Sequence, residues 1–417
     1  MSHRDGRTGA AAARRALAVV VFAVIAVYAA EGLALGYEFV RQLRLPRDYD
    51  RRTRLEVLSD LRAQGVDAMT SPSAHSFLTD RGGARVSEFT LDGREFLPLG
   101  GIARKPAVVC NESGTYLIIE PDRFGFHNPD AVWHMAPMDI AAVGDSFAFG
   151  MCVPPAESFV ARIRQAHPAT INLGITSNGP LFELATVKEY LPPLAPRIVI
   201  WFFFENDIED IEYERRNAVL MNYVRDDAFT QNLRTKQADI DRLVRGFLAM
   251  RETNARQRVA DEARIAAKAH QFLTLSRIHT LFGETRLNLF DEPDAMVLSE
   301  EAWALFDQTL AKADAAVRAW GGRIHFVYLP TLRRFGTPIG VRLDFRAMLP
   351  KAYVDHLHAR VLDIARQHRF PITDLTDTFE RHPNARRDLF TPVFHYSPEG
   401  NRLVADAVLA ALSAHAH

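Results

Sequence analysis

The sequence predicts an α/β protein whose central parallel sheet is covered by helices on both faces. From about residue 138 onward, short apolar runs of strand length alternate with segments of helical periodicity. This alternation is typical of parallel sheets in which helices make the crossover connections. One apolar run, 140–143, is followed by Gly-Asp-Ser-Phe, so Ser146 stands at the carboxyl end of a predicted buried strand. In open α/β sheets, ligands bind at that edge.

Five apolar runs are the predicted strands, and five periodic segments are the predicted helices. The predicted strands are residues 140–143, 170–173, 198–204, 324–329 and 372–375. The predicted helices are residues 157–165, 181–191, 299–320, 351–368 and 398–414. Residues 225–290 interrupt the alternation with mixed charges and high helix propensity, which predicts a solvated helical insertion rather than a binding module. A cap over the site is an alternative role for this insertion.

The composition is that of an ordinary globular protein. Of the 417 residues, 48% are hydrophobic and 24% are charged, and the formal net charge is -1. A charge so close to zero gives no reason to expect nucleic-acid binding. The chain has two cysteines, which excludes a disulfide-dense scaffold, and they show no zinc-ligand spacing with histidine. We expect no metal and no organic cofactor.

The N-terminal segment predicts a membrane anchor over residues 1–37, consisting of a cytoplasmic tail and a transmembrane helix. An arginine pair precedes an uncharged run at 16–30, and after Glu31 the apolar character continues to Tyr37. A spanning helix needs about 20 mostly apolar residues. The alternative is a cleaved signal peptide, but Tyr28 would occupy the third position before a cleavage after residue 30, where small residues are usual.

The remaining domain organisation follows from composition. Residues 38–135 predict a basic helical neck and a small lead-in subdomain, and residues 136–417 predict the main α/β domain. Arginines flank the apolar segment on both sides, so charge does not set its orientation. Long domains that follow a first apolar segment cross the membrane largely regardless of charge. We therefore expect a single-pass protein of the inner membrane with its main domain in the periplasm.

Four separated blocks carry the candidate chemistry. They are Gly-Asp-Ser-Phe at 144–147, Asn-Leu-Gly at 172–174, Asn-Asp at 206–207, and His395 just before the last predicted helix. Their order and spacing resemble the SGNH (GDSL-type) hydrolase superfamily over about residues 138–415. The segment Phe-Gly-Phe-His-Asn-Pro at 124–129 looks like that of membrane-anchored bacterial members. The resemblance implies a three-layer sandwich with a central, mostly parallel sheet.

The resemblance also implies a role for each block in acyl transfer. Ser146 would be the nucleophile, and His395 the base that takes its proton. The backbone N–H groups of Ser146 and Gly174 and the side-chain amide of Asn206 would form the oxyanion hole. A glycine at 174 would let the backbone approach the substrate closely.

The sequence departs from the family pattern at two places. Many members carry an aspartate two or three residues before the histidine, but valine and proline hold these positions here. Asp388, ranked first, or Asp374 or Asp377 would orient His395 in its place, unless the site works as a serine–histidine dyad. The third block lacks its usual glycine and has Glu205 before the asparagine, which predicts a narrower substrate cleft.

Cys110 and Cys152 form a predicted disulfide, since they are the two cysteines of a domain expected in an oxidising compartment. Such a bridge would hold the lead-in subdomain beside the strand that precedes Ser146. Two buried free thiols are the alternative.

These observations predict a membrane-anchored, extracytoplasmic serine esterase. The resemblance implies an acylated carbohydrate as substrate, with O-acetyl esters of envelope or secreted polysaccharide as the expected class. The first alternative is a polysaccharide O-acetyltransferase that uses the same serine and histidine and works with a multispan acyltransferase. The second is a non-catalytic scaffold or polysaccharide-binding protein, motivated by the missing acid before His395. The predicted partners are the ester substrate and the membrane, with no nucleic acid.

Overall fold

The computed structural model describes residues 5–43, 48–262, 271–275, 298–335 and 351–414. The chain forms two compact units. The first comprises Met1–Asp48, Asn254–Pro293 and Gly340–Ala347, and the second comprises Tyr49–Thr253, Asp294–Ile339 and Met348–His417. Most of the predicted lead-in subdomain lies in the second unit together with the main sheet. The predicted boundary near residue 135 therefore does not divide one compact unit from another.

The first unit contains helix α1 (Asp5–Leu43), which continues beyond the predicted end of the anchor at residue 37. Its segment Arg15–Ala34 has a mean hydropathy of 2.3 and is 6% buried, and it is the one helix of the described chain long and apolar enough to cross a membrane. Large side chains along it are exposed, including Phe22 at 72%. Membrane anchors and signal sequences share these properties, so α1 is consistent with either.

The second unit begins with the lead-in subdomain, which consists of helix α2 and seven short strands. A capping box between Thr53 and Glu56 starts α2 (Arg54–Ala63). The strands are β1 (Met69–Thr70), β2 (Leu78–Arg81), β3 (Ala84–Ser87), β4 (Phe89–Leu91), β5 (Arg94–Phe96), β6 (Ala107–Val108) and β7 (Ile118–Ile119). Strands β2–β3 and β4–β5 pair as antiparallel hairpins, and β1, β6 and β7 form a three-stranded sheet.

The main sheet has five parallel strands, as the sequence predicts. They are β8 (Ile140–Gly144), β9 (Thr170–Asn172), β10 (Ile198–Phe204), β11 (Arg323–Leu329) and β12 (Ile372–Asp374). Their order across the sheet is β12-β11-β10-β8-β9, and every neighbouring pair is parallel. The predicted strands are confirmed to within one residue at each end. Because the strands are parallel, all their carboxyl ends meet at one edge.

Helices cover both faces of this sheet. They are α3 (Ser146–Phe149), α4 (Phe159–Ala166), α5 (Pro180–Tyr190), α6 (Asp207–Glu214), α7 (Ala218–Arg225), α8 (Gln237–Glu262), α9 (Glu300–Ala319), α10 (Lys351–Gln367), α11 (Thr376–Glu380), α12 (Ala385–Asp388) and α13 (Pro398–Ala414). The five predicted helices correspond to α4, α5, α9, α10 and α13, with ends shifted by two residues at most.

The central strand β10 is apolar at every position because its side chains are buried on both faces of the sheet. Val199, Trp201 and Phe203 pack into a core with residues of α5, α9 and α10. Their neighbours Ile200 and Phe202 point the other way, into a second core with residues of α4 and α13. A strand buried on both faces reads as a continuous apolar run. The predicted three-layer α/β fold is therefore confirmed.

The predicted solvated insertion has a different structure in its first part. Helix α8 buries Ile240, Val244 and Phe247 in the same core as the sheet. The Phe247 ring lies edge-on to Phe77 and Phe89 of the lead-in subdomain, with centroids 5.8 and 5.4 Å away. The beginning of α8 is thus a core helix, and the prediction of a solvated insertion is wrong for it. Residues 263–270 and 276–290 of the predicted insertion lie outside the described residues.

Candidate active site

A tight turn at the end of β8 presents Ser146. A side chain on Gly144 would lie 2.8 Å from Ala148 Cβ and 2.9 Å from the carbonyl oxygen of Phe202, so only glycine fits at this position. The next residue, Asp145, caps α3, because its carboxylate accepts a 2.8 Å hydrogen bond from the backbone N–H of Phe147. Ser146 is the first residue of α3, and it is partly exposed at the carboxyl edge of the sheet.

His395 lies next to Ser146, although the two residues are 249 positions apart in the sequence. Its Nε2 is 3.0 Å from Ser146 Oγ. The loop before α13 holds the histidine in place, since the N–H of Thr391 donates a 2.7 Å hydrogen bond to the His395 carbonyl oxygen. The neighbouring Tyr396 ring packs against Phe147 at 4.6 Å between centroids. The serine and histidine predicted from sequence are therefore brought within proton-transfer distance.

Glu112 of the lead-in subdomain is the carboxylate that orients His395. Its Oε1 lies 2.7 Å from His395 Nδ1, and its Oε2 accepts hydrogen bonds from Thr391 Oγ1 at 2.5 Å and from the His395 N–H at 3.1 Å. Burial opposes ionisation of this carboxyl, but the hydrogen bonds and charge of His395 outweigh burial and hold the pKa of Glu112 below its ordinary value. The three side chains form a hydrogen-bonded chain from carboxylate to hydroxyl.

The prediction that Asp388 orients His395 is wrong. The Asp388 carboxylate pairs with the adjacent Arg387 at 2.7 Å. The two other candidates also have partners of their own: Asp374 lies 2.7 Å from His358 Nε2, and Asp377 pairs with Arg381. Glu112 could not be recognised from a local pattern, because 283 residues separate it from His395. The one signal was its position two residues after Cys110.

Gly174 has a packing role in this structure rather than the predicted oxyanion role. Its N–H donates a 2.9 Å hydrogen bond to the Asn172 side chain, so it is already engaged. A side chain at this position would come within 2.5 Å of the backbone nitrogen of Phe149 and 2.7 Å of the carbonyl carbon of Ala148. Glycine is required here because the loop after β9 passes directly over α3.

Asn206 stands at the end of β10, where α6 begins. Its Nδ2 donates a 3.1 Å hydrogen bond to Asp210. An amide nitrogen carries two hydrogens, so one remains for an oxyanion. The N–H of Ser146 is also suited to this purpose, because the first amides of a helix lack intrahelical acceptors. Two of the three predicted donors therefore keep donor capacity at the sheet edge.

Glu205, in the position where the family pattern has glycine, points into the protein. It is 7% exposed and accepts hydrogen bonds from Tyr328 Oη at 2.8 Å and Arg334 Nε at 2.7 Å. The Arg334 side chain is itself 3% exposed. This buried ion pair fixes the residue that precedes Asn206. The prediction that a bulky residue here narrows the cleft is wrong, since the Glu205 side chain is part of the core.

Buried carboxylates surround Asp145 on the interior side of the turn. Burial raises the pKa of Asp145 to about 6, although the N–H of Phe147 donates a hydrogen bond to its carboxylate. Burial and neighbouring negative charges raise the pKa values of Glu183 and Asp207 further above their ordinary values. Neither oxygen of the Glu183 carboxyl has a hydrogen-bond partner among the described residues. These groups favour the protonated form, in contrast to Glu112.

The predicted disulfide between Cys110 and Cys152 is present, with the two Cα atoms 5.6 Å apart. Both cysteines lie in a small apolar cluster with Val109, Leu117 and Phe149. Sulfur, nitrogen and oxygen atoms of Cys152, His395 and Glu112 lie within 4.8 Å of one another, a spacing that a metal ion could use. The disulfide occupies the sulfur, however, and the histidine and glutamate bond each other, so this donor set does not fit a metal site.

Three kinds of comparison with known proteins were made: family models, curated proteins and solved structures. No protein-family model matches the chain, and no curated protein matches its sequence. Among solved structures, TesA is 11% identical, with a TM-score of 0.34, covering 66% of this chain and 97% of its own. A member of the lipolytic protein G-D-S-L family from Veillonella parvula is 12% identical, with a TM-score of 0.34, covering 66% and 97%.

An extracellular lipase from Streptomyces rimosus is 14% identical, with a TM-score of 0.33, covering 66% of this chain and 99% of its own. At TM-scores below 0.5 the likeness carries no argument about chemistry, so we base the functional assignment on the geometry of the site.

Proposed function

We propose that this protein is a serine ester hydrolase. The observation that carries the proposal is the hydrogen-bonded chain Glu112–His395–Ser146, with distances of 2.7 and 3.0 Å between successive side chains. A serine is a weak nucleophile until a base removes its proton, and a base acts efficiently when a third group orients it. The scaffold hypothesis was motivated by the absence of such a third group, and Glu112 removes that motivation.

The reaction would proceed in two steps. His395 Nε2 takes the proton of Ser146 as Oγ attacks the ester carbonyl, and it returns that proton to the leaving alcohol when the carbon–oxygen bond breaks. Water then attacks the acyl-serine with the same assistance, which releases the carboxylic acid and restores the hydroxyl. Throughout, Glu112 stabilises the imidazolium through its bond to Nδ1.

Negative charge develops on the ester carbonyl oxygen in both steps. The free hydrogen of the Asn206 amide and the N–H of Ser146 are the proposed donors to it. Asn206 is well suited because its backbone is held between strand β10 and helix α6. A donor fixed before the reaction stabilises the transition state without reorganising.

The proposed location is the periplasmic face of the inner membrane, with α1 as an uncleaved anchor. The apolar surface of α1 and the disulfide support this part of the proposal, since structural disulfides form in oxidising compartments. The proposed substrates are O-acetyl esters of envelope or secreted polysaccharide. The resemblance of the four blocks to SGNH hydrolases supports this choice of substrate.

Covalent labelling of Ser146 tests the proposal without knowledge of the natural substrate. A fluorophosphonate probe should attach to Ser146 Oγ of the full-length protein in detergent, with loss of fluoride. The Ser146→Ala variant should not be labelled and should lose aryl-acetate hydrolysis, whereas Ser413→Ala on α13 should behave as wild type. Equal labelling of wild type and Ser146→Ala would contradict the proposal. Acetyl transfer to an added sugar in preference to water would favour the acetyltransferase alternative.

A further inference from the structure

The carboxylate that orients the histidine comes from outside the main sheet, and a covalent bridge ties it back to the nucleophile. Glu112 lies two residues after Cys110, and Cys152 lies six residues after Ser146. The disulfide between these cysteines joins the loop that carries the acid to the loop that carries the nucleophile. It is the one disulfide of the chain, and it stands beside the site.

The backbone next to Glu112 is held by hydrogen bonds as well as by the disulfide. Hydrogen bonds between Val109 and Leu117 and between Leu117 and Cys110 extend the β6–β7 pairing up to the cysteine and no further. Beyond it, the side chain of Asn111 bonds the carbonyl oxygen of Asp50 and the N–H of Gly114, both in segments outside the main sheet. These hydrogen bonds hold the segment within the lead-in subdomain, whereas the disulfide joins it to the loop that follows Ser146.

The hydrogen bonds of the Glu112 carboxylate all go to the loop before α13. They come from Thr391 Oγ1 and from the backbone and ring of His395. These bonds align Glu112 with His395. The disulfide connects the segment that carries Glu112 to the segment that follows Ser146. Cys152 has a φ of 63°, a left-handed conformation that non-glycine residues adopt only where their surroundings impose it.

We propose that the Cys110–Cys152 disulfide is a positioning element for Glu112, so that loss of the bridge lowers catalysis through loss of the Glu112–His395 contact. This inference rests on the proposed esterase function. Neither cysteine is a member of the hydrogen-bonded chain from Glu112 to Ser146, and the bridge acts by restricting the acid to the place where it bonds Nδ1. Catalytic side chains keep their productive geometry only when neighbouring residues fix their positions.

A double-mutant cycle tests this coupling. The four proteins are wild type, Cys110→Ala/Cys152→Ala, Glu112→Gln, and the variant that combines all three substitutions. In the wild-type background, loss of the bridge should lower kcat for an aryl acetate by about 10-fold or more, equivalent to ~1.4 kcal/mol, with KM little changed. In the Glu112→Gln background, the same loss should change kcat by less than about 2-fold. Equal losses in both backgrounds would overturn the proposal.

A matched control separates positioning from simple destabilisation. Val109→Ala removes apolar contact from the same small cluster but keeps the bridge and the Glu112 carboxylate. It should lower the melting temperature while leaving kcat near the wild-type value. If Val109→Ala and the cysteine variant lose kcat in proportion to their loss of stability, the bridge has only a structural role.

A second measurement does not depend on esterase activity. The His395 Nδ1 proton in the 2.7 Å bond to Glu112 should give a downfield NMR resonance in the full-length protein, assigned by its absence from a His395→Ala variant. Glu112→Gln should remove this resonance, and the cysteine variant should broaden or remove it. An unchanged resonance in the cysteine variant would refute the positioning role. If the resonance behaves as expected but Ser146 resists labelling, the proposed function fails while the positioning role stands.

Discussion

The two halves of the candidate site differ in how they are built. Ser146 and Asn206 follow adjacent strands of one parallel sheet, β8 and β10, so the fold itself brings them to the same edge. Glu112 comes from a small subdomain without a strand in that sheet, and its contacts are with a loop 283 residues away. The sheet therefore supplies the candidate nucleophile and a candidate oxyanion donor, whereas the lead-in subdomain supplies the carboxylate that bonds His395. The lead-in subdomain is thus part of the candidate site.

Replacement of the acid should have the largest effect. Glu112→Gln keeps the size of the side chain but removes the charge that stabilises imidazolium, and we expect kcat to fall by about 10²- to 10⁴-fold. Asp388→Asn is the matched control and should leave kcat unchanged, because Asp388 pairs with Arg387 instead. Steady-state hydrolysis of an aryl acetate measures both. A large loss in Asp388→Asn with little loss in Glu112→Gln would reverse our assignment of the acid.

Removal of the proposed oxyanion donor Asn206 should have the second-largest effect on kcat. Asn206→Ala should lower kcat by roughly 10²- to 10³-fold, the usual result of deleting one such donor. The KM value should change little, since the bond forms fully only in the transition state. Labelling by the fluorophosphonate should slow in parallel. If kcat falls less than about 3-fold, Asn206 is not the donor and its remaining amide hydrogen has another partner.

Substitution of Gly174 should lower the stability of the fold more than it lowers kcat. In Gly174→Ala, the new methyl group would meet the backbone of α3 at 2.5–2.8 Å. Overpacking against main chain typically costs about 1–3 kcal/mol, which thermal or urea unfolding would detect. The fraction that remains folded should retain most of its activity, because the Gly174 N–H is bonded to Asn172. A stable Gly174→Ala protein with strongly reduced kcat would restore the oxyanion role.

The pH dependence of stability should show opposite signs for the two groups of buried acids. Glu183 and Asp207 have pKa values raised first by burial and then by like charges. The folded state binds their protons more tightly, so they add stability at low pH that is lost as the pH rises above the ordinary carboxyl range near 4. Glu112, whose pKa is lowered, adds stability above that range and loses it as the pH falls.

Unfolding free energies measured between about pH 2 and 8 would separate these contributions. Glu183→Gln should flatten the decline toward high pH, because the neutral side chain no longer has a proton to lose. Glu112→Gln should instead remove part of the decline toward low pH. These effects are the smallest of the set, and a Glu183→Gln protein with an unchanged pH profile would argue against a protonated Glu183.

The strands of the main sheet could be predicted closely because each is a short apolar run. In β10, seven consecutive apolar residues lie between turn residues, and this pattern indicates a buried strand. The start of α8 differs from the prediction for the opposite reason. Its many charged residues suggest solvent on all sides, yet Ile240, Val244 and Phe247 form a narrow stripe that packs into the core.

The sequence by itself determined the fold class, the serine and the histidine, because hydrophobic periodicity and residues at strand ends are local signals. It also determined that a disulfide was available, since the chain has two cysteines. Only the tertiary structure decided that the Glu112 carboxylate bonds His395 and that Gly174 packs on α3. Both depend on contacts between segments far apart in the chain, and such contacts leave no periodicity or spacing in the sequence.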